Sequence, residues 1–392
     1  MMHLFVNSLA ASAGGGLTYI RNVVPHLVNA QGFRATVALS PSLRQEFAGS
    51  RNIEFVELEI PPAKRFWFEQ SRLAGLIRRS GADVLLSTGN FALRNSPVPQ
   101  ILLSRNSVYT SADFYEDLIT RRDYRTWLDT RFRAMLAKRS IVWADCTIAP
   151  SESFADELRQ WTNRPVQAIH HGFDRDSFFR DSTPLAPRVE EELEGAEGTL
   201  RLLFVSHYNY YRNFETLIRA LPRLRQLHPG RLVKLFLTCK LSDGQNPGEY
   251  RPGAAARLVR ELGVGEMVVE LGAIPYHQLH FLYRRANLYV TPAYTETFAH
   301  PLVEAMASGV PVVASDLAVH QEICGQAAAY FPRFSSEALA ETVARVAKSK
   351  ETLSRMSSVG LERSGHFSWR THVERILELC RTMMKGIPPA IR

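Results

Sequence analysis

Short blocks of consecutive apolar residues punctuate this chain at regular intervals, and stretches of helical periodicity fill the gaps. In the front part the apolar blocks are HLFVNS, RATVALS, ADVLLST, QILLSRN, CTIAPS and VQAIHH, with TYIRNVVPHLVNA as the first helical stretch. Near-continuous apolar runs of this length suit strands covered on both faces, and strands alternating with helices build a parallel sheet. The pattern breaks at 180–199, RDSTPLAPRVEEELEGAEGT, which is rich in Pro, Gly and acids and poor in large apolar residues. That stretch reads as an interdomain linker. The alternation then restarts: LRLLFVS, helical FETLIRALPRLRQL, VKLFLTCK, helical AAARLVRELGV, MVVELG, helical YHQLHFLYRRA, NLYVTPA and AAAYF. The prediction is two doubly wound, Rossmann-like parallel-sheet α/β domains, 1–182 and 183–369, facing a cleft. The last helix, about 370–392, is placed to pack back onto the first domain.

Length supports the division, because 392 residues exceed one ordinary core. With 45% hydrophobic and 22% charged residues the composition is globular, which excludes disordered and fibrous classes. The apolar runs are far shorter than the roughly 20 residues of a spanning helix, and MMHLFVNS lacks a basic n-region, so a cytoplasmic protein is expected. Cys146, Cys239, Cys324 and Cys380 form no C-x-x-C pair and read as buried reduced thiols. A net charge of +8 points to an anionic partner, whether phosphorylated substrate, membrane surface or nucleic acid.

Chemistry concentrates in TETFAHPLVEAMASGVPVVASD, from Thr295 to Asp316. Pro301 suits a first helical turn, and Gly309 followed by Pro311 is a stop signal, so a helix of about 301–308 is predicted. Glu296 then lies in the loop before the helix and Glu304 about one turn inside it. Both can face what binds at the helix N-terminus, where amides and dipole favour an anion. Two carboxylates beside a phosphate seat make sense as acceptors for hydroxyls of the same ligand, a nucleotide sugar. The plainer reading is a helix cap and a loop charge.

The segment NLYVTPAYTETFAHPLVEAMASGVPVVASD resembles the E-x7-E signature of the retaining GT-B glycosyltransferases of group 1, the GT4 family. The resemblance extends through VVELGAIPYHQLHFLYRRANLYV, FVSHYNYYRNFETLIRAL and IHHGFDRDSFF to the N-terminal strand and glycine loop, and is weakest at about 110–140. It implies that Glu304 holds the donor ribose and Glu296 the donor sugar. It implies further that amides of Thr297, Phe298, Ala299, His300, Pro301 and Leu302 surround the diphosphate, with Ala273 and Ile274 also on the donor side. Family members commonly carry Gly where this chain has Thr297 and Ala299. A β-branched Thr297 disfavours a positive φ, so a different loop shape is expected around the sugar. Where the family usually has an Arg and a Lys against the diphosphate, this chain has His207 and Arg212. Arg212 keeps a full charge and a bidentate fork, whereas His207 is half-charged at best near neutral pH.

ASAGGGLTYI places Gly14, Gly15 and Gly16 after the first strand, where backbone turns sharply or meets a ligand closely. Tyr19 holds the place of the third glycine of G-x-G-x-x-G and no P-loop Lys follows, so dinucleotide or ATP binding is not supported. The resemblance puts Gly15 and Gly16 opposite the donor diphosphate. It also puts Arg105 and Asn106 where many members carry a His near the transferred sugar, on the sugar or acceptor side. Asp174-Arg175-Asp176 mimics a metal-binding D-x-D but follows HHGF, and His277 and His280 lie on an expected solvated face without a third ligand, so no metal site is expected. RRDYRTWLDTRFRAMLAKRSIVW and KRFWF mix basic with aromatic and aliphatic residues. They read either as helices packed on their own sheet or as docking surfaces for anionic membrane.

The expectation is a retaining, metal-independent glycosyltransferase without a cofactor. It would move a hexose-type sugar from a nucleoside diphosphate sugar to a glycan or lipid-linked hydroxyl. The family habit places it in bacterial polysaccharide or O-antigen assembly, in the cytoplasm or at the inner face of the membrane, with no nucleic-acid partner. The alternatives are a non-hydrolysing sugar-nucleotide epimerase and a non-catalytic sugar-nucleotide-binding protein.

Overall fold

The structure is a computed structural model that describes residues 1–11, 14–47, 52–246 and 250–385. Ser12 and Ala13 of the glycine loop and the last seven residues lie outside the described residues. The chain forms two compact units. The first comprises 1–111, 122–172 and the chain from Ser368 onward, and the second comprises 112–121 and 173–367.

In the first unit seven parallel strands, β1 (Met2–Asn7), β2 (Phe33–Leu39), β3 (Ile53–Glu57), β4 (Val84–Ser87), β5 (Gln100–Leu103), β6 (Cys146–Ala149) and β7 (Gln167–Ala168), lie in the order β3-β2-β1-β4-β5-β6-β7. Successive side chains of a strand point to opposite faces. Leu4 and Val6 of β1 therefore join Val37, Leu86 and Ile101 beneath the helices Gly14–Val28 and Trp369–Met384. Phe5 turns the other way, with Leu73, Ile77 and Leu85. Leu102 continues that face among Ile141, Phe154 and Leu158.

The C-terminal helix is locked to this unit at one close approach. A Cβ on Gly172 would lie 2.0 Å from the Trp369 amide nitrogen, so only glycine fits. His372 donates from Nδ1 to the His170 carbonyl at 2.8 Å, which leaves Nε2 to accept from the Tyr19 hydroxyl at 3.0 Å.

The second unit has six parallel strands, β8 (Leu200–Phe204), β9 (Val233–Leu237), β10 (Val268–Glu270), β11 (Leu288–Thr291), β12 (Val312–Ser315) and β13 (Ala328–Phe331), ordered β10-β9-β8-β11-β12-β13. Strand order reverses between β1 and β4 in one unit and between β8 and β11 in the other. Each reversal opens a crevice at the carboxyl ends of the strands, the usual ligand position of open α/β sheets.

Three expectations need correction. The chain passes between units at Gly172/Phe173, ten residues before the expected boundary, and 180–199 is an integral part of the second unit. Within it Pro187–Glu194 is a helix that buries Val189 and Leu193, an i, i+4 pair too small to register as an apolar face. Residues 112–121 also belong to the second unit. There Asp113 accepts from Arg333 at 3.0 Å, Asp117 from the Tyr294 hydroxyl at 2.8 Å, and Glu215 from Arg121 at 2.9 Å. Finally, His280 is buried, not solvated, with Nε2 at 2.9 Å from the Asp181 carbonyl oxygen and the ring beside Phe178 and Phe179. Asp174 accepts from the Ser177 amide at 3.0 Å and so caps the helix Arg175–Arg180. The four cysteines are unpaired and buried, and burial pushes each thiol up to about 12. Among the described residues no helix is long and apolar enough to cross a membrane.

Candidate active site

Buried charge gathers after the carboxyl ends of two neighbouring strands of the second unit. After β8 the chain runs through His207 to a single 3-10 turn, Tyr210–Arg212, and after β11 it runs to Glu296. The strand reversal makes β8 and β11 neighbours, and Arg212 donates from one terminal nitrogen to Oε2 of Glu296. The second carboxylate oxygen, Oε1, accepts the Thr297 amide at 3.1 Å. Burial alone would push the Glu296 carboxyl up, but the Arg212 charge and the Thr297 amide outweigh it and hold the carboxyl below its ordinary value. Reciprocally, burial would lower Arg212 and the Glu296 charge more than restores it. Nε of Arg212 is buried without a hydrogen-bond acceptor.

Glu304 meets a different environment. It sits in the helix His300–Ala307, one residue earlier at each end than the sequence predicts, with Pro301 in the first turn and Gly309 past its end at φ 71°. The carboxylate is buried and, among the described residues, accepts from the Tyr283 hydroxyl at 2.9 Å. Burial raises its carboxyl to about 7, against a smaller lowering by that hydrogen bond. Tyr289 of β11 lies within electrostatic reach of Arg212, Glu304 and Glu296, so both carboxylates border the same aromatic side chain.

The loop between the two glutamates differs from expectation. Ala299, not Thr297, takes the left-handed conformation, at φ 63° and ψ 64°. This is the position just before the helix, and a left-handed non-glycine residue there costs on the order of 1–2 kcal/mol. Of the amides expected around an anion, Thr297 donates to Glu296, Leu302 donates to the Ala299 carbonyl at 2.9 Å, and Pro301 has none. Phe298 is buried with its ring against His300 and Phe367, which fixes the Phe298–His300 turn from below. Leu302 is buried, and the Pro301 carbonyl accepts from Tyr283 at 3.3 Å.

His207 is exposed, and desolvation together with the Arg212 charge holds its imidazole below the ordinary histidine value. It is thus neutral at pH 7 and adds no charge beside Arg212. Ala273 and Ile274 follow β10 on the same carboxyl edge, two strands from the β8/β11 junction.

Sequence reasoning missed His320. It is fully buried after β12, and its Nδ1 lies 3.1 Å from the Ser315 carbonyl oxygen, which can only accept. Nδ1 therefore carries the proton and Nε2 is a bare, buried acceptor. Burial lowers its pKa to about 4, so the ring is neutral within electrostatic reach of Glu296 and Arg212. The signal was present in the sequence, a histidine five residues after a strand-ending Ser315.

In the first unit the matching crevice holds Arg105. Its amide donates to Asn90 Oδ1 at 2.7 Å and its Nε to the Thr88 carbonyl at 3.0 Å. The guanidinium lies against the start of the Gly14–Val28 helix. A Cβ on Gly16 would be 2.9 Å from a terminal nitrogen of Arg105, and one on Gly15 would be 3.9 Å from the other. Desolvation lowers Arg105 to about 10, and no carboxylate offsets it. Asn106 is extended and starts the turn Ser107–Tyr109. A further residue absent from the sequence reading is Glu69, buried beside Asn7 at the end of β1, with its carboxyl raised to about 7 by burial. Among the described residues no group of three His, Cys, Asp or Glu side chains could hold a metal ion.

The family model of glycosyl transferases group 1 matches residues 188–363, and that of glycosyltransferase family 4 matches 13–177. A D-inositol 3-phosphate glycosyltransferase of Nocardia farcinica is 28% identical over 254 residues, 62% of this chain and 53% of that protein. One of Thermobifida fusca is 26% identical over 62% of this chain and 56% of its own length. The chain spans about half the length of the curated relatives it matches. Among solved structures, sucrose-phosphate synthase from Thermosynechococcus elongatus superposes with a TM-score of 0.77 at 20% identity, over 98% of this chain and all of that one. Anabaena HepE in complex with UDP-glucose gives 0.70 at 18% identity, over 97% of this chain and all of that one. The two parallel-sheet domains are those of the GT-B fold, and the chain belongs to the group 1, family 4 glycosyltransferases.

Proposed function

We propose that the protein is a retaining glycosyltransferase that moves a hexose-type sugar from a nucleoside diphosphate sugar to a hydroxyl acceptor. The observation that carries this reading is the contrast between two buried carboxylates eight residues apart. Among the described residues Glu304 has no cation partner, and its carboxyl, raised to about 7, is suited to exchange hydrogen bonds with the ribose diol. Glu296 is held ionised by Arg212 and suits the hydroxyls of the donor sugar. Arg212 faces the diphosphate and offsets the negative charge that grows as the anomeric C–O bond breaks. Preorganised charge of this kind usually supplies most of the rate.

In the transfer the electron pair of the breaking bond goes to the diphosphate oxygen. The acceptor oxygen bonds to the anomeric carbon on the same face, and its proton passes to the departing diphosphate. Charge stabilisation by Arg212 and backbone amides needs no divalent metal, and EDTA is expected to leave the rate unchanged. Arg105 and Asn106 serve the sugar or acceptor side, and Gly15 and Gly16 belong with the donor-binding residues. The acceptor is a glycan or a lipid-linked glycan, in bacterial polysaccharide or O-antigen assembly at the inner face of the cytoplasmic membrane.

UDP-glucose is the first donor to try, because the Anabaena fold neighbour binds it. A thermal-shift series with UDP, GDP and ADP sugars should give one base that raises the melting temperature, since a ligand of the native state stabilises it. The Glu304→Ala variant should lose that shift. Conversion of the donor to an epimer without any acceptor would replace this reading by an epimerase.

A further inference from the structure

The helix Tyr124–Trp143 of the first unit is built inside out. Its buried residues are Thr130, Ala134, Ala137, Ser140 and Ile141, mostly small or hydroxylic. Its large apolar side chains face outward: Tyr124 is 57% exposed, Leu128 62%, Phe132 57%, Met135 43% and Val142 50%. Steps of 4, 4, 3 and 7 residues bring these five onto one stripe of a 3.6-residue helix, about 27 Å long at 1.5 Å per residue. Isolated exposed apolar residues need no explanation, but an aligned row of five opposite a small-residue face does.

Charge indicates what covers the row. The same helix exposes Arg125, Arg131, Arg133, Lys138 and Arg139 and a single acid, Asp129, which pairs with Arg133 at 2.7 Å. The helix Pro62–Phe68 of the same unit also carries Lys64, Arg65 and Trp67, the last 71% exposed. Apolar side chains that can enter the acyl boundary, flanked by cations that stay at the headgroups, match an interfacial helix on an anionic bilayer. A second copy of this chain would bring the same positive charges face to face, which disfavours self-association through this surface.

We infer that the Tyr124–Trp143 stripe is a docking surface for anionic lipid membrane. The inference goes beyond the transferase reading and does not depend on turnover. Its test is flotation of the full chain with vesicles of phosphatidylcholine alone or with 30% phosphatidylglycerol, at low salt and at high salt. The expected result is binding to the anionic vesicles only, weakened by salt, and reduced about ten-fold or more in Leu128→Glu/Phe132→Glu. That variant should keep the wild-type circular dichroism spectrum and melting temperature, because both side chains are solvent-exposed. A Leu128→Ala/Phe132→Ala variant supplies an intermediate step should the glutamates disturb folding. Absence of vesicle binding by the wild type, or binding undiminished in both variants, overturns the inference. So does a wild-type dimer in sedimentation velocity that the variants dissociate without any effect on vesicles. A failed donor thermal shift would count against the proposed function and leave this test intact.

Discussion

Glu296 and Glu304 are only eight residues apart in sequence, yet the molecule treats them oppositely. The loop carboxylate is bound to Arg212 and held below its ordinary value, while the helix carboxylate accepts from the Tyr283 hydroxyl and is raised by burial to about 7. Similar burial produces opposite shifts because a cation is present at one site and absent at the other. The two therefore pull stability in opposite directions with pH. Glu296, depressed, contributes stability that is present above its unfolded value of about 4.5 and is lost as pH falls through its folded value. Glu304, raised, contributes stability that is full below about 4.5 and is lost as pH rises through about 7.

The largest effect should come from removing the cation that distinguishes the two. Arg212→Ala leaves Glu296 buried without its partner, which typically costs about 3–5 kcal/mol, and removes the charge facing the diphosphate, about 10²–10³-fold in rate. Chemical denaturation and initial-rate measurements read these separately, and a near-normal rate would remove Arg212 from catalysis. Next, Glu304→Gln should stabilise the ligand-free protein by about 2 kcal/mol more at pH 8 than at pH 5, because the buried charge is then gone. The same variant should weaken nucleotide binding, and an equal effect at both pH values would contradict the raised carboxyl. Ala299→Gly, in the loop between them, should add about 0.5–1 kcal/mol by relieving the left-handed backbone. A melting temperature unchanged or lowered would show that the methyl group is needed. The smallest effect is expected from His207→Gln. Since His207 is already neutral, the rate between pH 7 and 8 should keep its profile, and a steep new pH dependence would give the imidazole a charged role.

The contrast also separates what a sequence displays from what it conceals. Pro301 and Gly309 bracket the glutamate helix by backbone chemistry alone, so its limits were legible to within one residue. The apolar runs exposed both sheets for the same reason, since buried parallel strands need them. The shifts of Glu296 and Glu304 were not legible, because they depend on Arg212 and Tyr283, 84 and 21 residues away. Ala299 shows the limit of residue preference: the strained conformation went to the neighbouring alanine, while β-branched Thr297 kept an ordinary backbone. The helix Pro187–Glu194 was hidden by acids around a two-residue apolar contact. Residues 112–120 displayed a helical face through Phe114 and Leu118, but periodicity cannot say which unit that face will join.

That last feature bears on how the gene can be handled. The polypeptide passes between units at 111/112, 121/122, 172/173 and 367/368, so neither unit is a single stretch of sequence. A plasmid cut at the apparent hinge would yield one half deprived of its closing helix and another deprived of the strap that holds Arg333, Tyr294 and Glu215. Exchange of the second unit with a relative must here move two segments in register, and exchange of the first unit three, instead of one. The two-part enzyme is consequently inherited and engineered as a whole.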